Sequence, residues 1–470
     1  MNIDYLLLMK SELSITLIIF ILLILKIRGN IDNNSGLFNL INVFLLLNFV
    51  LGFFFNKEGV IFDGMMRNTG LLALEKNILN FGVLIISLQA YTWLKNHKHF
   101  VEFYLLLLST LLGMFFMLSS MSFLLFYLGL ELSTIPLAAL SNFDLEKKKS
   151  SEAAFKLIIS SAFSSAILLF GISILYGTTG TISFAEMPSH LTGSDLQILA
   201  LVIIFSGFAF KLSAVPFHLW TADVYEGSPV AVTAYLSVIS KGAIMFIFIS
   251  AFYNVFASMF HSWYNILFIT SVITIIIGNL FALRQNNIKR FLAFSTITQA
   301  GYILLGISAN SPIGTASAVY FILVYICSNL GAFGVVSLVS ALTGKEDIDD
   351  YKGFYTTNPL LSLTLTISLF SLAGIPPTAG FFGKFFLISA GATSGNYIFV
   401  GIAALNMVIS LYYYLRVVRA IFMDKNDTPI ERLTSPLSMK FALLICVVGI
   451  VLIGLISHIF EHIYSFSANV

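Results

Sequence analysis

Apolar runs of about 20 residues, the length a helix needs to cross the hydrocarbon core of a bilayer, recur along almost all of this 470-residue chain. In hydrocarbon each backbone N–H and C=O must be satisfied within its own segment, so runs of this length predict an all-α polytopic bundle. Reading for runs bounded by charge, Gly, Pro or Asn predicts fourteen spans, near 12–27, 37–55, 78–94, 100–119, 121–141, 151–176, 196–219, 230–253, 262–283, 288–309, 314–341, 359–391, 395–422 and 437–462. The first run lacks a small-residue cleavage site, and Asp4 and Glu12 spoil a basic leader, so it is read as a mature helix. The connecting stretches stay within about 20 residues, too short for an extramembrane domain that could bury a core or bind a nucleotide.

The rest of the composition narrows the chemistry. Charged residues make up 10% of the chain, against roughly a quarter in a soluble domain, and a net charge of +2 provides no basic face for a nucleic acid. Cys327 and Cys446 are two separated thiols within apolar runs, which predicts no iron–sulfur cluster and no structural zinc. There is no CxxCH, GxGxxG or P-loop pattern, so the expectation is a chain without a redox or nucleotide cofactor of its own.

Lys and Arg accumulate in cytoplasmic loops, which orients the spans. With the N-terminus outside, 17 basic residues fall at cytoplasmic loops and helix ends, from Lys26 to Lys440. Only 4, Lys10, Lys57, Arg67 and Lys76, fall outside. Both termini are therefore predicted on the outer side.

Four lysines and one glutamate remain within spans: Lys156, Lys211, Lys241, Lys384 and Glu131. An ionisable group at bilayer depth costs about 2.5–3.5 kcal/mol on insertion scales and usually marks an ion pathway. Glu131 lies in FLLFYLGLELSTIPLAAL, with Tyr127 one turn earlier. Pro136 frees the carbonyl of Leu132 beside the carboxylate. The plainer alternative is a structural carboxylate tying two helices together through a lysine. Lys211 precedes Pro216 and His218 in FKLSAVPFHLWTADVYEGSP, and Pro216 frees the carbonyl of Leu212. An unbroken helix would put Lys211 and His218 on one face about 10 Å apart, as a water-bridged relay needs. A satisfied interfacial histidine is an equally good reading of His218. Lys241 is central in its span and too deep to snorkel. Lys156 sits near the Lys147–Lys149 cluster, where a snorkelling surface lysine competes with a functional one. Lys384 follows LAGIPPTAGFFG, whose prolines and glycines must interrupt the helix. A cation beside irregular backbone at this depth is an arrangement found in transporters.

The two predicted breaks, in spans 7 and 12, are five spans apart. A five-helix unit repeated in this way is inverted, so spans 4–8 and 9–13 are expected to be inverted repeats. The expected organisation is residues 1–99 as an N-terminal three-helix segment, 100–253 and 262–422 as the repeats, and 423–470 as a C-terminal helix. Only the first repeat holds a mid-membrane carboxylate.

KLSAVPFHLWTADVYEGSPVAVTAYLSVISK, IKRFLAFSTITQAGYILLG and SLAGIPPTAGFFGKFFL strongly resemble signature segments of the subunit N family of bacterial NADH:quinone oxidoreductase, respiratory complex I. The resemblance runs over about residues 100 to 425. This antiporter-like family is similar to Mrp cation/proton antiporter subunits and membrane-bound hydrogenase subunits, which are the alternative assignments. The resemblance implies fourteen helices with inverted repeats and a proton relay through Glu131, Lys156, Lys211, Lys241 and Lys384. It also implies proton movement driven by quinone reduction in partner subunits, with FMN, Fe–S clusters, NADH and quinone all bound elsewhere. The implied partners are the other membrane and peripheral subunits of complex I, including paralogous antiporter-like subunits, in the bacterial inner membrane. A short C-terminus and a lysine in span 12 favour subunit N over its paralogues. Span 11, AVYFILVYICSNLGAF, lacks the histidine some relatives carry, so Tyr325, Ser328 and Asn329 with water are expected to serve there.

Overall fold

The computed structural model describes residues 3–29, 34–54, 56–393, 395 and 397–468. Among these residues twelve helices are long and apolar enough to cross a membrane, and two shorter apolar helices, Pro359–Ala373 and Ala379–Ala392, lie on the predicted span 12. A further helix, Lys10–Ile27, covers the first predicted run and carries Lys10, Glu12 and Lys26. The chain has the architecture of a polytopic helical membrane protein.

Some helix starts carry a cap that the sequence supplies. Ser122 and Ser311 accept from Leu125 N and Gly314 N at the starts of Phe123–Ser141 and Pro312–Thr343, satisfying donors that a helix start leaves orphaned. Two helices of 32 residues, Lys148–Thr179 and Pro312–Thr343, end on Gly180 (φ 72°) and Gly344 (φ 70°). Both glycines take the left-handed turn that a side chain would disfavour.

The chain divides into two compact units. The first holds Met1–Leu84, Lys95–Leu212 and Ser240–Ile266. Its centre is the pair Phe100–Ser119 and Phe123–Ser141, which touch through glycines: a Cβ on Gly113 would meet Ser133 N at 2.5 Å, and one on Gly129 would meet Met117 N at 2.6 Å. A short antiparallel hairpin pairs Gly59–Ile61 with Met66–Asn68 in the register Val60↔Arg67. Met121 N donates to Met65 O at 2.8 Å, fastening that hairpin to the turn between the two central helices.

The second unit holds Ile85–Leu94, Ser213–Ile239 and Leu267–Val470. Ile288–Ile307 and Pro312–Thr343 are almost wholly buried, while most of Tyr397–Phe422 and Leu437–Leu455 faces outward with apolar side chains such as Leu405 and Val408 exposed. The boundary does not follow the predicted repeat edges. The helix of predicted span 7 stops at Leu212, and its remainder, Leu219–Gly227, packs against Ile288–Ile307 in the second unit.

Candidate functional site

In the first unit the charges gather around the end of helix Asp195–Leu212. Lys211 Nζ donates to Thr134 Oγ1 at 3.2 Å and to Ser161 Oγ. Thr134 is one turn from Glu131 on helix Phe123–Ser141, so the ammonium is held beside the carboxylate by a hydroxyl on the same face, and the two charges interact electrostatically. Glu131 Oε1 is buried and has no hydrogen-bond partner among the described residues. Ser213 follows in a left-handed conformation (φ 59°), and the helix does not continue. His218 therefore does not share a helical face with Lys211, and the 10 Å spacing of an unbroken helix does not apply. His218 is buried in the second unit, its ring edge-on to Phe281 at 6.4 Å.

The open end of that helix is taken by another cation. Lys241 Nζ donates to Leu212 O at 3.0 Å, the carbonyl that Pro216 was expected to free. The last carbonyls of a helix lack intrahelical donors and carry the negative end of its dipole, so a buried ammonium is well placed there. Lys241 follows a π-helical turn at Leu236–Ser240, a local widening that recurs at functional sites. Lys156 pairs with Glu152 at 2.7 Å and keeps 39% of its side chain exposed, the geometry of the snorkelling alternative.

The second unit has a corresponding break. Helix Pro359–Ala373 ends on Gly374 (φ 85°), and Ala379–Ala392 resumes after the prolines. Gly380 is required there, because a Cβ would lie 1.7 Å from Ser371 O. Lys384, fully buried, donates to Leu372 O at 2.7 Å and Ala373 O at 3.2 Å. Its ammonium stands 5.1 Å over the Tyr302 ring, within cation–π range. At both breaks a lysine ammonium thus caps the carbonyl end of the first half-helix.

Tyr325, Ser328 and Asn329 stand in buried hydrogen-bond chains. Asn329 Nδ2 donates to Ser237 Oγ at 2.8 Å and to Tyr325 OH at 3.1 Å, and Tyr325 OH donates to Thr296 Oγ1 at 2.8 Å. Ser295 bonds Tyr414 at 2.6 Å, and Gln299 Nε2 donates to Tyr414 OH at 3.2 Å and to Leu372 O at 3.1 Å, the carbonyl that also holds Lys384. Ser328 bonds Ser371 at 2.7 Å.

Several buried charges were not anticipated. Lys76 does not lie outside the span: it belongs to helix Gly70–Leu94, is 1% exposed and pairs with Glu12 at 2.7 Å. Glu75 is buried beside it. Lys289, read as a loop-end residue, is buried against Glu346 at 3.2 Å, and Arg290 bonds both Asp223 and Glu226. The available signal was the run EK at 75–76 immediately before an apolar stretch, which helical periodicity could have absorbed into that span.

Broken helices with buried lysines on their open ends define the chain as an antiporter-like membrane protein. Residues 120–410 match the family described as NADH:quinone oxidoreductase/Mrp antiporter, TM. The chain is similar to NADH-quinone oxidoreductase subunit N of Phocaeicola vulgatus, with 49% identity over 466 residues covering 98% of each. It also resembles a chain of respiratory complex I from Thermus thermophilus solved with bound aureothin, at a TM-score of 0.81 and 27% identity over 95% of this chain and 97% of that one. A chain of the Mrp complex from Dietzia sp. shares the fold, with a TM-score of 0.84 at 19% identity over 100% of this chain and 97% of that one. The chain belongs to the NADH:quinone oxidoreductase/Mrp antiporter family, in its subunit N group.

Proposed function

We propose that this chain is the subunit of a bacterial NADH:quinone oxidoreductase that moves protons across the inner membrane through a Glu/Lys relay driven by quinone reduction in partner subunits. The observation that carries the reading is Lys211, hydrogen-bonded to Thr134 one turn from Glu131 and adjacent in sequence to Leu212, whose carbonyl holds Lys241. An ammonium facing a carboxylate keeps its proton, and one whose counter-charge withdraws gives it up. Glu131 is that counter-charge for Lys211. When the pairing loosens, the proton passes on through Lys241 towards Lys384 and is released to the outside. A tenfold change in proton affinity is worth about 1.4 kcal/mol. A change of two to three such steps therefore offsets a membrane potential worth about 2.3 kcal/mol per charge per 100 mV.

Fourteen spans, ten of them in two inverted five-helix repeats, are supported by the matched 32-residue helices, each ending on a left-handed glycine and each followed by a broken helix. Redox groups belong to partner subunits in this reading, and the chain receives its driving energy as a conformational or electrostatic signal. Lys156 and His218 join the relay as side stations. Glu131→Gln and Lys241→Ala are expected to cut quinone-linked proton uptake in inverted membrane vesicles several-fold while the complex assembles normally. Unimpaired uptake sinks the relay. Co-purification with a set of small membrane proteins, and without flavin or iron–sulfur subunits, would favour an Mrp-type cation/proton antiporter, whose fold the Dietzia chain shares.

A further inference from the structure

The relay uses none of the buried charge at the N-terminal end of the first unit. Glu12 and Lys76 pair at 2.7 Å with only 1% and 2% of their side chains exposed, and Ser119 Oγ donates to the same carboxylate oxygen at 2.9 Å. The other oxygen, Oε2, is buried with no hydrogen-bond partner among the described residues. Around the pair lie Glu75, which interacts electrostatically with Lys76 and Arg67, and Lys10, whose charge reaches Lys76. Lys76 Nζ also approaches Asn68 Oδ1 at 3.4 Å. Asn68 and Arg67 belong to the hairpin, where Arg67 is part-exposed.

These groups share one end of the bundle: the starts of Lys10–Ile27, Gly70–Leu94 and Phe123–Ser141 and the end of Phe100–Ser119. It is the end assigned to the outer side by the distribution of Lys and Arg. Glu131 lies eight residues into its helix, about 12 Å from that end at 1.5 Å per residue, and Tyr127 is one turn closer to it. A buried ion pair costs more to desolvate than an apolar pair of the same size, so it is weak evidence for stability alone. A carboxylate with one saturated and one empty oxygen is left ready to accept a proton.

We propose that Glu12–Lys76 is a second proton-exchange site, through which protons leave the first unit on the outer side. Lys76 passes a proton to Glu12: one N–H bond breaks, one O–H bond forms, and the pair becomes neutral. Glu12 then loses that proton towards Glu75 and the hairpin surface, and a proton arriving from the membrane interior restores the Lys76 ammonium. The proposal rests on the proton-translocating reading above, and the test separates the two.

In inverted vesicles containing the whole complex, proton uptake per NADH oxidised is measured for Lys76→Arg, for Glu12→Gln with Lys76→Met, and for Lys241→Ala. Arginine keeps the buried charge pair but does not release its proton, so a packing role tolerates it and a proton-exchange role does not. The expected result is assembled complex with uptake reduced at least about twofold in both Lys76 variants. Wild-type uptake in either assembled Lys76 variant, with Lys241→Ala impaired, overturns the proposal and leaves the relay standing. Wild-type uptake in all three overturns both. A Lys76→Arg chain that fails to assemble while the double variant assembles and pumps marks a packing role and overturns the proposal as well.

Discussion

Thr134 accepts from Lys211 at 3.2 Å one turn from Glu131, and its hydroxyl donates to Leu130 O at 2.7 Å, which turns the oxygen's lone pairs towards Lys211. Thr134→Val keeps shape but removes the acceptor, leaving a part-buried ammonium with one hydroxyl partner, Ser161, among the described residues. Losing a hydrogen bond to a charged group costs about 1.5–3 kcal/mol. The variant is expected to lower proton uptake in vesicles several-fold with the level of assembled complex unchanged, and an unaltered rate would mean that Ser161 and Glu131 position Lys211 without Thr134. At this scale the sequence was most informative where a charge had no surface to reach. Lys241 and Lys384 are as buried as their depth implied, and the carbonyl freed by Pro216 is occupied by an ammonium. Which lysine occupies it was not legible, because the donor comes from the following span, 29 residues on. Glu12 and Lys76 escaped for a related reason. Each lies near a helix start, where sequence alone cannot separate a solvated end from one covered by neighbouring helices and a hairpin.

At the scale of the element, glycine decides how closely helices meet. Gly113 and Gly129 let Phe100–Ser119 and Phe123–Ser141 approach backbone to backbone, an arrangement small residues favour in membranes. Because the obstructing atoms are main chain and cannot rotate away, Gly129→Val is expected to push the helices apart at a cost of about 1–3 kcal/mol. The measurement is the yield and thermal stability of the assembled complex in detergent. Gly380→Ala is a sharper case, since its Cβ would fall on Ser371 O at 1.7 Å. It should displace helix Ala379–Ala392, and with it Lys384, so proton uptake should fall even in complex that survives purification. Both broken helices were legible in outline from clustered Pro and Gly. Their exact ends were not: the first was drawn through to residue 219, whereas the helix stops at Leu212, because the left-handed turn is taken at a serine rather than at a glycine.

Across the whole molecule, the surplus of Lys and Arg on alternate loops predicts that both termini face away from the cytoplasm. Moving Lys76 into the bilayer leaves the surplus intact, since it removes a charge from the poorer side. A C-terminal alkaline phosphatase fusion is expected to be active and a green fluorescent protein fusion at the same position dark. The reverse pattern would invert the orientation and with it the assignment of the Glu12–Lys76 end to the outside. The helical class and nearly every span could be read from hydrophobic run length, because hydrocarbon imposes one requirement on every segment. The grouping of segments could not. Ser213–Ile239 follows a break, and side-chain packing rather than run length decides which helices it joins.

The lysines on the open helix ends have one more property. A carbonyl accepts from an ammonium and, more weakly, from a neutral amine, which still has two N–H donors. Lys241 on Leu212 O, and Lys384 on Leu372 O and Ala373 O, can therefore change charge without changing address. No anion is stranded when the proton departs, because the attraction came from dipoles that belong to the fold. Such a seat works as a turnstile, fixed in place whether or not it is occupied.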